Sequence, residues 1–359
     1  MITFHFNNMA SQLSLHSGSP LIGSPITYQV RAASVNGETA FHRIIFQVKA
    51  ILLQSGQTYE SHEFTLSSPV ESGELIAFDI SSALRAVADT YEYTVVPPTN
   101  YPRVAFTLKV WDEYMQNGTL YENVGIVEER TTQYCLFGGF TDRERIVATQ
   151  NGATGRKAQV MTRKPKTQAE VVMVGEQMVC PLSLASAVSC GQATVGPQSV
   201  VRNISSPGLQ TINDHPVYAV PAGEKDRYEF RFVNGLGCLE SVSVKSLREG
   251  EMNVTSTTNL RAIQESFGQF SRAVVTKKND YETWKLTSGP LDEAWHSWFL
   301  HEFLMAKWAW IKVDGVWLTC HILPEETVTT INRYDGNPYE VDFSVRFDIN
   351  GSPHGALEI

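Results

Sequence analysis

Apolar and polar residues alternate with a period of two along much of this chain, the pattern of β-strands that bury one face. The clearest example is YEVDFSVRFDI, residues 339–349, in which six apolar residues alternate with five polar or charged ones. Residues 26–32, 44–50 and 104–110 show similar alternation. The pattern predicts a mainly β protein with two to three β-sandwich-like domains and short helices.

Two dipeptides have the composition of tight β-turns. Asn234-Gly235 and Asp314-Gly315 each lie between segments rich in apolar residues. Asn-Gly and Asp-Gly accept the positive φ angles that two-residue hairpin loops require. Each dipeptide therefore predicts a β-hairpin.

A different period appears near residues 290–306, where large apolar residues recur every three or four positions. This spacing predicts one amphipathic helix with a broad apolar stripe. Pro290 suits the first helical position, and Asp292 and Glu293 favour the positive end of the helix dipole.

These elements predict four successive segments. Residues 1–140 form an N-terminal β-sandwich domain, and residues 141–168 form a helix and a basic linker. Residues 169–250 form a middle β domain, and residues 251–359 form a C-terminal α+β domain with the helix and the terminal hairpins. The linker helix starts with TDRE, residues 141–144, whose spacing of Thr and Glu is that of a capping box.

The charge balance bears on the choice of partner. The chain carries 38 acidic against 29 basic residues, a net charge of −9, which argues against nucleic acid as the main partner. One basic run without acids occurs in the linker, and we interpret it as solvated: Arg156, Lys157, Arg163, Lys164 and Lys166. Only 19% of residues are charged, so the surface is rich in neutral polar groups, which suits permanent contacts.

The chain shows no secretion signal or membrane-spanning pattern, so we expect synthesis in a reducing cytoplasm and no membrane insertion. The five cysteines are widely spaced and form no CxxC pair, which favours buried free thiols: Cys135, Cys180, Cys190, Cys238 and Cys320.

Neither a metal-binding histidine pair nor a common catalytic motif occurs in the sequence. His296 and His301 are five residues apart, about 140° of rotation on a helix, so we expect surface or capping histidines and no metal. The nucleophile elbow GxSxG and the phosphate-binding loop GxxxxGK[ST] are both missing. The sequence predicts no catalytic residues and no cofactor, and therefore a protein that is not an enzyme.

Aromatic residues are concentrated near the C-terminus, where six of the seven tryptophans lie between residues 284 and 317. Core packing and a subunit contact are both open interpretations, because aromatic residues dominate cores and interfaces. Sugar stacking on exposed rings is a weaker alternative, and membrane insertion is weaker still. The candidate residues, called the aromatic set below, are Trp295, Trp298, Phe299, Phe303, Trp308, Trp310 and Trp317.

Several stretches, taken in order, carry a resemblance. They are GSPITYQV, LFGGFTDRERI, MTRKPKT, YEFRFVNGLGCLESVSV, LTSGPLDEAWHSWFLHEFLMAKWAWI, DGVWLTCHILPE and YEVDFSVRF. This ordering resembles structural proteins encoded in the tail modules of phages and prophages of gut Bacteroidetes-type bacteria. The resemblance implies a virion protein of the tail, made in the bacterial host cytoplasm, and it carries no active-site residues over.

The resulting function hypothesis is a tail-tip or baseplate subunit, similar to a distal tail protein. Such a subunit would form a homo-oligomeric ring and join the tail to other virion proteins. One alternative is a carbohydrate-binding or receptor-binding tail module. A second alternative is a hydrolase that degrades the cell wall.

Overall fold

The computed structural model describes residues 4–5, 21–54, 57–91, 103–144, 162–181, 199–212, 214–265, 268–324 and 338–347. Within them the chain forms five β-sheets and few short helices. The prediction of a mainly β fold with several sheets is confirmed.

The N-terminal region is a sandwich of two antiparallel sheets. Its strands are β1 (Phe4–His5), β2 (Thr27–Arg31), β3 (Phe41–Gln54), β4 (Gln57–Pro69), β5 (Leu75–Asp79), β6 (Arg103–Gln116) and β7 (Thr119–Leu136). One sheet has the order β1-β2-β5 and the other β4-β3-β6-β7. Between them Phe46 of β3 stacks on Phe78 of β5, with ring centroids 5.0 Å apart. Helix α1 (Ser81–Ala88) contributes Leu84 and Val87 to the same core.

Five short strands form the middle region. They are β8 (Glu170–Met173), β9 (Gln177–Pro181), β10 (Ser199–Asn203), β11 (Gly208–Ile212) and β12 (His215–Val220). Strand β8 runs parallel to β12, β11 pairs antiparallel with β12, and β9 pairs antiparallel with β10. Their buried apolar side chains form a small core of their own: Val172, Met178, Cys180, Ile204, Val217 and Ala219.

A seven-stranded sheet forms the C-terminal region. Its strands are β13 (Arg227–Val233), β14 (Leu239–Lys245), β15 (Glu249–Glu265), β16 (Gly268–Thr287), β17 (Ala309–Val313), β18 (Val316–Pro324) and β19 (Asp342–Phe347). Their order is β14-β13-β17-β18-β19-β16-β15. The sheet crosses the predicted boundary at residue 250, because β13 pairs with β17 as well as with β14. Residues 227–245 thus belong with the C-terminal strands, a pairing that no local pattern reveals.

Both predicted hairpins are present. Strands β13 and β14 are joined by the loop of residues 234–238, in which Gly237 has the positive φ angle, so the turn is not the two-residue Asn234-Gly235 turn that the sequence predicts. Strands β17 and β18 are joined by Asp314 and Gly315, with φ angles of 50° and 83°. Two successive positive φ angles match the turn that Asp-Gly favours.

The predicted helix lies on one face of this sheet and is shorter than 290–306. Helix α2 spans Glu293–Trp298 and continues as a π-helical turn, Phe299–Phe303. Asp292 is the N-cap, since its side chain accepts the Trp295 backbone N–H at 2.8 Å. The helix therefore starts after Asp292 and not at Pro290.

Candidate functional site: a buried interdomain junction

Three chain segments cross closely where the N-terminal sandwich meets the seven-stranded sheet. The Gly23 N–H donates to the Gly138 carbonyl at 2.6 Å, and the Gly139 N–H donates to the Gly235 carbonyl at 2.8 Å. These bonds join the segment before β2, the exit from β7 and the β13–β14 loop. The two regions are thus connected through their backbones.

Glycine is required at the centre of this crossing. Gly138 and Gly237 have φ angles of 98° and 80°, which L side chains rarely adopt. A Cβ atom at Gly237 would overlap the carbonyl of Phe137, and one at Gly138 would overlap the backbone of Leu236. The crossing therefore tolerates no side chain at either position without a backbone shift.

Arg163 is the central cation of the junction. Its guanidinium donates to both carboxylate oxygens of Glu144 at 2.8 and 2.9 Å, and to Glu302 at 2.6 Å. It also donates to the Gly139 carbonyl at 3.0 Å. The second oxygen of Glu302 accepts the Gly235 N–H at 2.6 Å. Arg163 thus joins the linker, the β7 exit and the π-helical turn, while Glu302 extends the network to the β13–β14 loop.

The predicted capping box at residues 141–144 is part of this network. The Thr141 N–H donates to the Glu144 carboxylate at 2.8 Å, and the Glu144 N–H donates to the Thr141 hydroxyl at 3.2 Å. Burial opposes the charge on Glu144, but hydrogen bonds from Arg163 and Thr141 outweigh it and lower the pKa of Glu144. Burial also opposes the charge on Arg163, yet its carboxylate partners raise the pKa of Arg163.

Lys164 forms a second buried contact between segments. Its ammonium donates to Glu170 and to the Ser241 carbonyl, each at 2.6 Å. The same Nζ lies 5.6 Å from the ring centroid of Trp295 and 5.2 Å from that of Trp298. These distances are those of cation–π contacts, so the cation links the linker and β14 to the aromatic helix.

Glu240 lies next to Lys164 and is fully enclosed. Its carboxylate accepts from the Thr162 hydroxyl at 2.5 Å and from the Asn234 amide at 2.9 Å. The Asn234 side-chain oxygen accepts the backbone N–H groups of Leu236 and Cys238 and so holds the β13–β14 loop. Burial raises the pKa of Glu240 to about 7, despite the opposing charge of Lys164.

These contacts correct the interpretation of the basic run as solvated. Lys164 is only 6% exposed, and Arg163 is held by two carboxylates. Lys166 is exposed, as expected, whereas residues 156 and 157 lie outside the described residues. The acids that balance Arg163 and Lys164 come mostly from other parts of the chain, so the local sequence does not show them.

Most of the aromatic set packs in the core. Phe303 and Trp298 each make T-shaped contacts with Phe232 of β13, with centroids 5.3 and 5.9 Å apart. The Arg231 guanidinium lies 4.3 Å from the ring centroid of Trp317, which is half-buried like Trp308. The members that are buried are Trp295, Trp298, Phe299, Phe303 and Trp310.

The two histidines of the helix have different environments. His301 is exposed, but His296 is 1% exposed and stacks on Tyr339 with ring centroids 4.4 Å apart. The expectation of a surface or capping histidine is therefore wrong for His296, whose ring fills a space in the core. Among the residues that the structure describes, no group of three His, Cys, Asp or Glu is placed to hold a metal ion.

A small cleft beside the junction is lined by several residues, among them Cys180, His215 and Glu240. Burial raises the pKa of the Cys180 thiol to about 11 and lowers the pKa of His215 to about 4. A nucleophilic cysteine needs the opposite shift of the thiol. The Cys180 thiol and the His215 imidazole are therefore both neutral near pH 7. The four described cysteines are all buried and without disulfides, as predicted; Cys190 lies outside the described residues.

The sequence did not identify the charged members of the junction. Glu302 lies within an otherwise apolar helical stretch, and no local pattern distinguishes Glu240 from the other acidic residues of the chain. The capping box and the turn glycines are the sequence features that identify these segments. They do not show that the segments contact one another.

No protein-family model, curated protein or solved structure matches the chain. Among the described helices, none is long and apolar enough to cross a membrane.

Proposed function

We propose that the protein is a structural subunit of a phage tail, at the tail tip or baseplate. In this role it forms a ring and joins the tail to other virion proteins. The function is mechanical: the chain holds its parts in fixed positions and presents surfaces for assembly.

The observation that carries this proposal is the buried junction. Its network of Arg163, Glu144 and Glu302 ties three separate chain segments together, and removing Arg163 would leave Glu302, which is 6% exposed, as an uncompensated buried charge. Adjoining regions that share such a contact move as one body, because relative motion would break charge-assisted bonds. A rigid body of several sheets is what a permanent assembly requires of its subunits.

The segments that carry the resemblance to tail proteins supply this junction. GSPITYQV contains Gly23, LFGGFTDRERI contains Gly138 and MTRKPKT contains Arg163. The β13–β14 hairpin segment contains Gly237, and the helix segment contains Glu302. The family resemblance and the structural junction thus concern the same residues, which supports a structural role.

The two alternatives draw less support from the described residues. A sugar platform requires exposed rings, and five of the seven members of the aromatic set are buried. A hydrolase requires activated groups in a cleft. The pKa of the Cys180 thiol is raised and that of His215 is lowered, whereas a nucleophilic thiol needs a lowered pKa.

Immunogold electron microscopy of tailed particles tests the proposal. Antibodies against the full chain should label the distal end of the tail in particles from a host that carries the gene. Labelling confined to host cell debris, with none on intact particles, would overturn it. Turnover of purified cell-wall glycan by the full chain, abolished by a single carboxylate substitution, would instead favour the hydrolase.

A further inference from the structure

A long two-stranded arm extends from the seven-stranded sheet. Strand β16 pairs with β19 only over Thr283–Thr287, whereas β15 and β16 pair with each other from Glu249 to the end at Glu265. Residues 252–282, called the arm, therefore pair with no third strand among the described residues. Its 14-residue strand Met252–Glu265 reaches about 45 Å. An isolated two-stranded hairpin is marginally stable in water, so an arm of this length needs a surface to lie on.

The charge of the arm indicates the chemistry of that surface. Residues 252–282 carry four basic residues and three acids, a net charge of +1 in a chain of net charge −9. Two of the acids, Asp280 and Glu282, lie at the base of the arm, so its outer part, residues 255–279, has four basic residues and one acid. The strand register places Arg261 directly opposite Arg272. Like charges at opposite positions destabilise a strand pair, and an acidic partner between them removes that cost.

A surface with exposed apolar residues and surrounding acids, which complements the basic residues of the arm, lies at one end of the N-terminal sandwich. Phe41, Met115 and Leu120 are neighbours across β3, β6 and β7, and they are 45%, 36% and 48% exposed. These three adjacent exposed apolar side chains form what we call the tip patch. Contiguous exposed apolar residues bounded by polar ones are typical of interaction sites.

Acidic residues surround the tip patch. Glu38 precedes β3, Glu122 follows Leu120, and Glu71 and Glu74 lie in the turn after β4, which contacts the loop before β3. All four are exposed, and none forms an ion pair with a described basic side chain. Two cations also lie here: Arg43 is 5.1 Å from the ring centroid of Phe41 and is paired with Glu113, and Arg31 donates to the Gly73 carbonyl. The four unpaired acids outnumber these two cations.

We propose that the arm of one copy binds the tip patch of a second copy. The apolar residues of the patch supply buried area, and the acids around it neutralise Arg261 and Arg272 of the incoming arm. The contact joins two different surfaces of identical chains, so each copy can bind one neighbour with its arm and another with its tip patch. Such a head-to-tail series closes into a ring when a whole number of copies completes one full rotation. The inference rests on the proposed function and names the contact by which the ring forms.

A charge-swap experiment on the full chain tests this contact. One variant carries Glu38→Lys and Glu122→Lys, a second carries Arg261→Glu and Arg272→Glu, and a third combines all four substitutions. Each parent variant should assemble at a concentration about tenfold or more above that of the wild type, because it opposes like charges across the contact. The combined variant should restore assembly, since the charges are again complementary.

The readout is sedimentation velocity over a range of protein and salt concentration. A control variant with Glu340→Lys and Asp342→Lys makes the same net charge change as the Glu38→Lys and Glu122→Lys variant, on exposed residues at the start of β19, and should assemble like the wild type. Leu120→Ser tests the apolar centre without a charge change and should also weaken assembly. Rising salt should weaken the wild-type contact, since exposed charges are screened.

The possible outcomes separate the two proposals. If the wild type assembles and both charge variants assemble equally well, the arm contact is overturned while the proposed function stands. If both parents, folded by circular dichroism, lose assembly and the combined variant does not recover it, the contact is also overturned. If the wild type remains a monomer, the contact is overturned, and immunogold labelling decides the proposed function independently.

Discussion

Replacing Gly237 by alanine should destabilise the protein far more than an ordinary glycine substitution does. The residue has a φ angle of 80°, and an added Cβ would overlap the carbonyl of Phe137. Gly223 is a matched control: its φ angle is 91°, but a Cβ there meets no atom within 4 Å. The two substitutions therefore share the cost of a left-handed backbone and differ in the steric overlap.

The magnitudes follow from these two costs. A non-glycine residue in the left-handed region costs roughly 1–2 kcal/mol, which is the whole effect expected for Gly223→Ala. Overpacking adds about 1–3 kcal/mol, and the atoms that must move at Gly237 are backbone atoms, which cannot rotate away. We expect Gly237→Ala to lower the free energy of unfolding by about 2–5 kcal/mol in total, the sum of the two costs.

Urea unfolding followed by tryptophan fluorescence provides the assay, since six of the seven tryptophans lie between residues 284 and 317, near the junction. Hydrogen exchange of the amides in residues 137–139 and 235–238 localises the effect. Gly237→Ala should accelerate exchange there, and Gly223→Ala should not. Equal loss of stability in the two variants, with no local change in exchange, would refute the close crossing.

Three further predictions concern buried groups of the junction and the helix. Lys164→Met should lower the free energy of unfolding in urea by about 3–5 kcal/mol, because Glu170 is left as an uncompensated buried charge. Adding Glu170→Gln should recover part of this loss. If stability does not recover, the pairing of Lys164 with Glu170 is contradicted. The folded-state pKa of Glu240, about 7, exceeds its ordinary value of 4.5, so its contribution to stability falls as the pH rises from about 4.5 to 7. Glu240→Gln should flatten that part of the pH profile of the unfolding free energy, and an unchanged slope would contradict the burial argument. Trp298→Ala should cost about 3–5 kcal/mol in urea unfolding, whereas Met305→Ala, at a position that is 70% exposed, should cost less than about 0.5 kcal/mol; similar costs would place Trp298 outside the core.

Local patterns predicted the local elements. The period of two predicted the strands, Asp314-Gly315 predicted its hairpin, and the spacing in residues 141–144 predicted the capping box. Each of these structures depends on residues within a few positions of one another, so the sequence contains the whole signal. The start of α2 was misplaced because Asp292 acts as a cap, a choice that depends on one side-chain rotamer.

Non-local contacts were not predictable in the same way. Strand β13 pairs with β17 across the predicted domain boundary. The alternation of apolar and polar residues in the β13–β14 hairpin does not show which of its two strands pairs with a further strand. Lys164 has the sequence context of a solvated linker and becomes buried only because Glu170 and two tryptophan rings surround it. Such burial depends on tertiary packing, which no window of sequence shows.

The arm and the tip patch extend the same reasoning to the assembly. The junction connects the regions of one subunit, but the proposed ring also needs two complementary surfaces on each copy. The outer part of the arm, with Arg261 and Arg272, and the acidic residues around the tip patch provide such a pair. The position of the arm within an assembly therefore decides whether this contact forms the proposed ring.

Cryo-electron microscopy of the assembled full chain tests this account most directly. We expect closed rings in which residues 252–282 of each copy lie across Phe41, Met115 and Leu120 of its neighbour. Single copies at every concentration, or rings in which the arm projects into solvent, would contradict it.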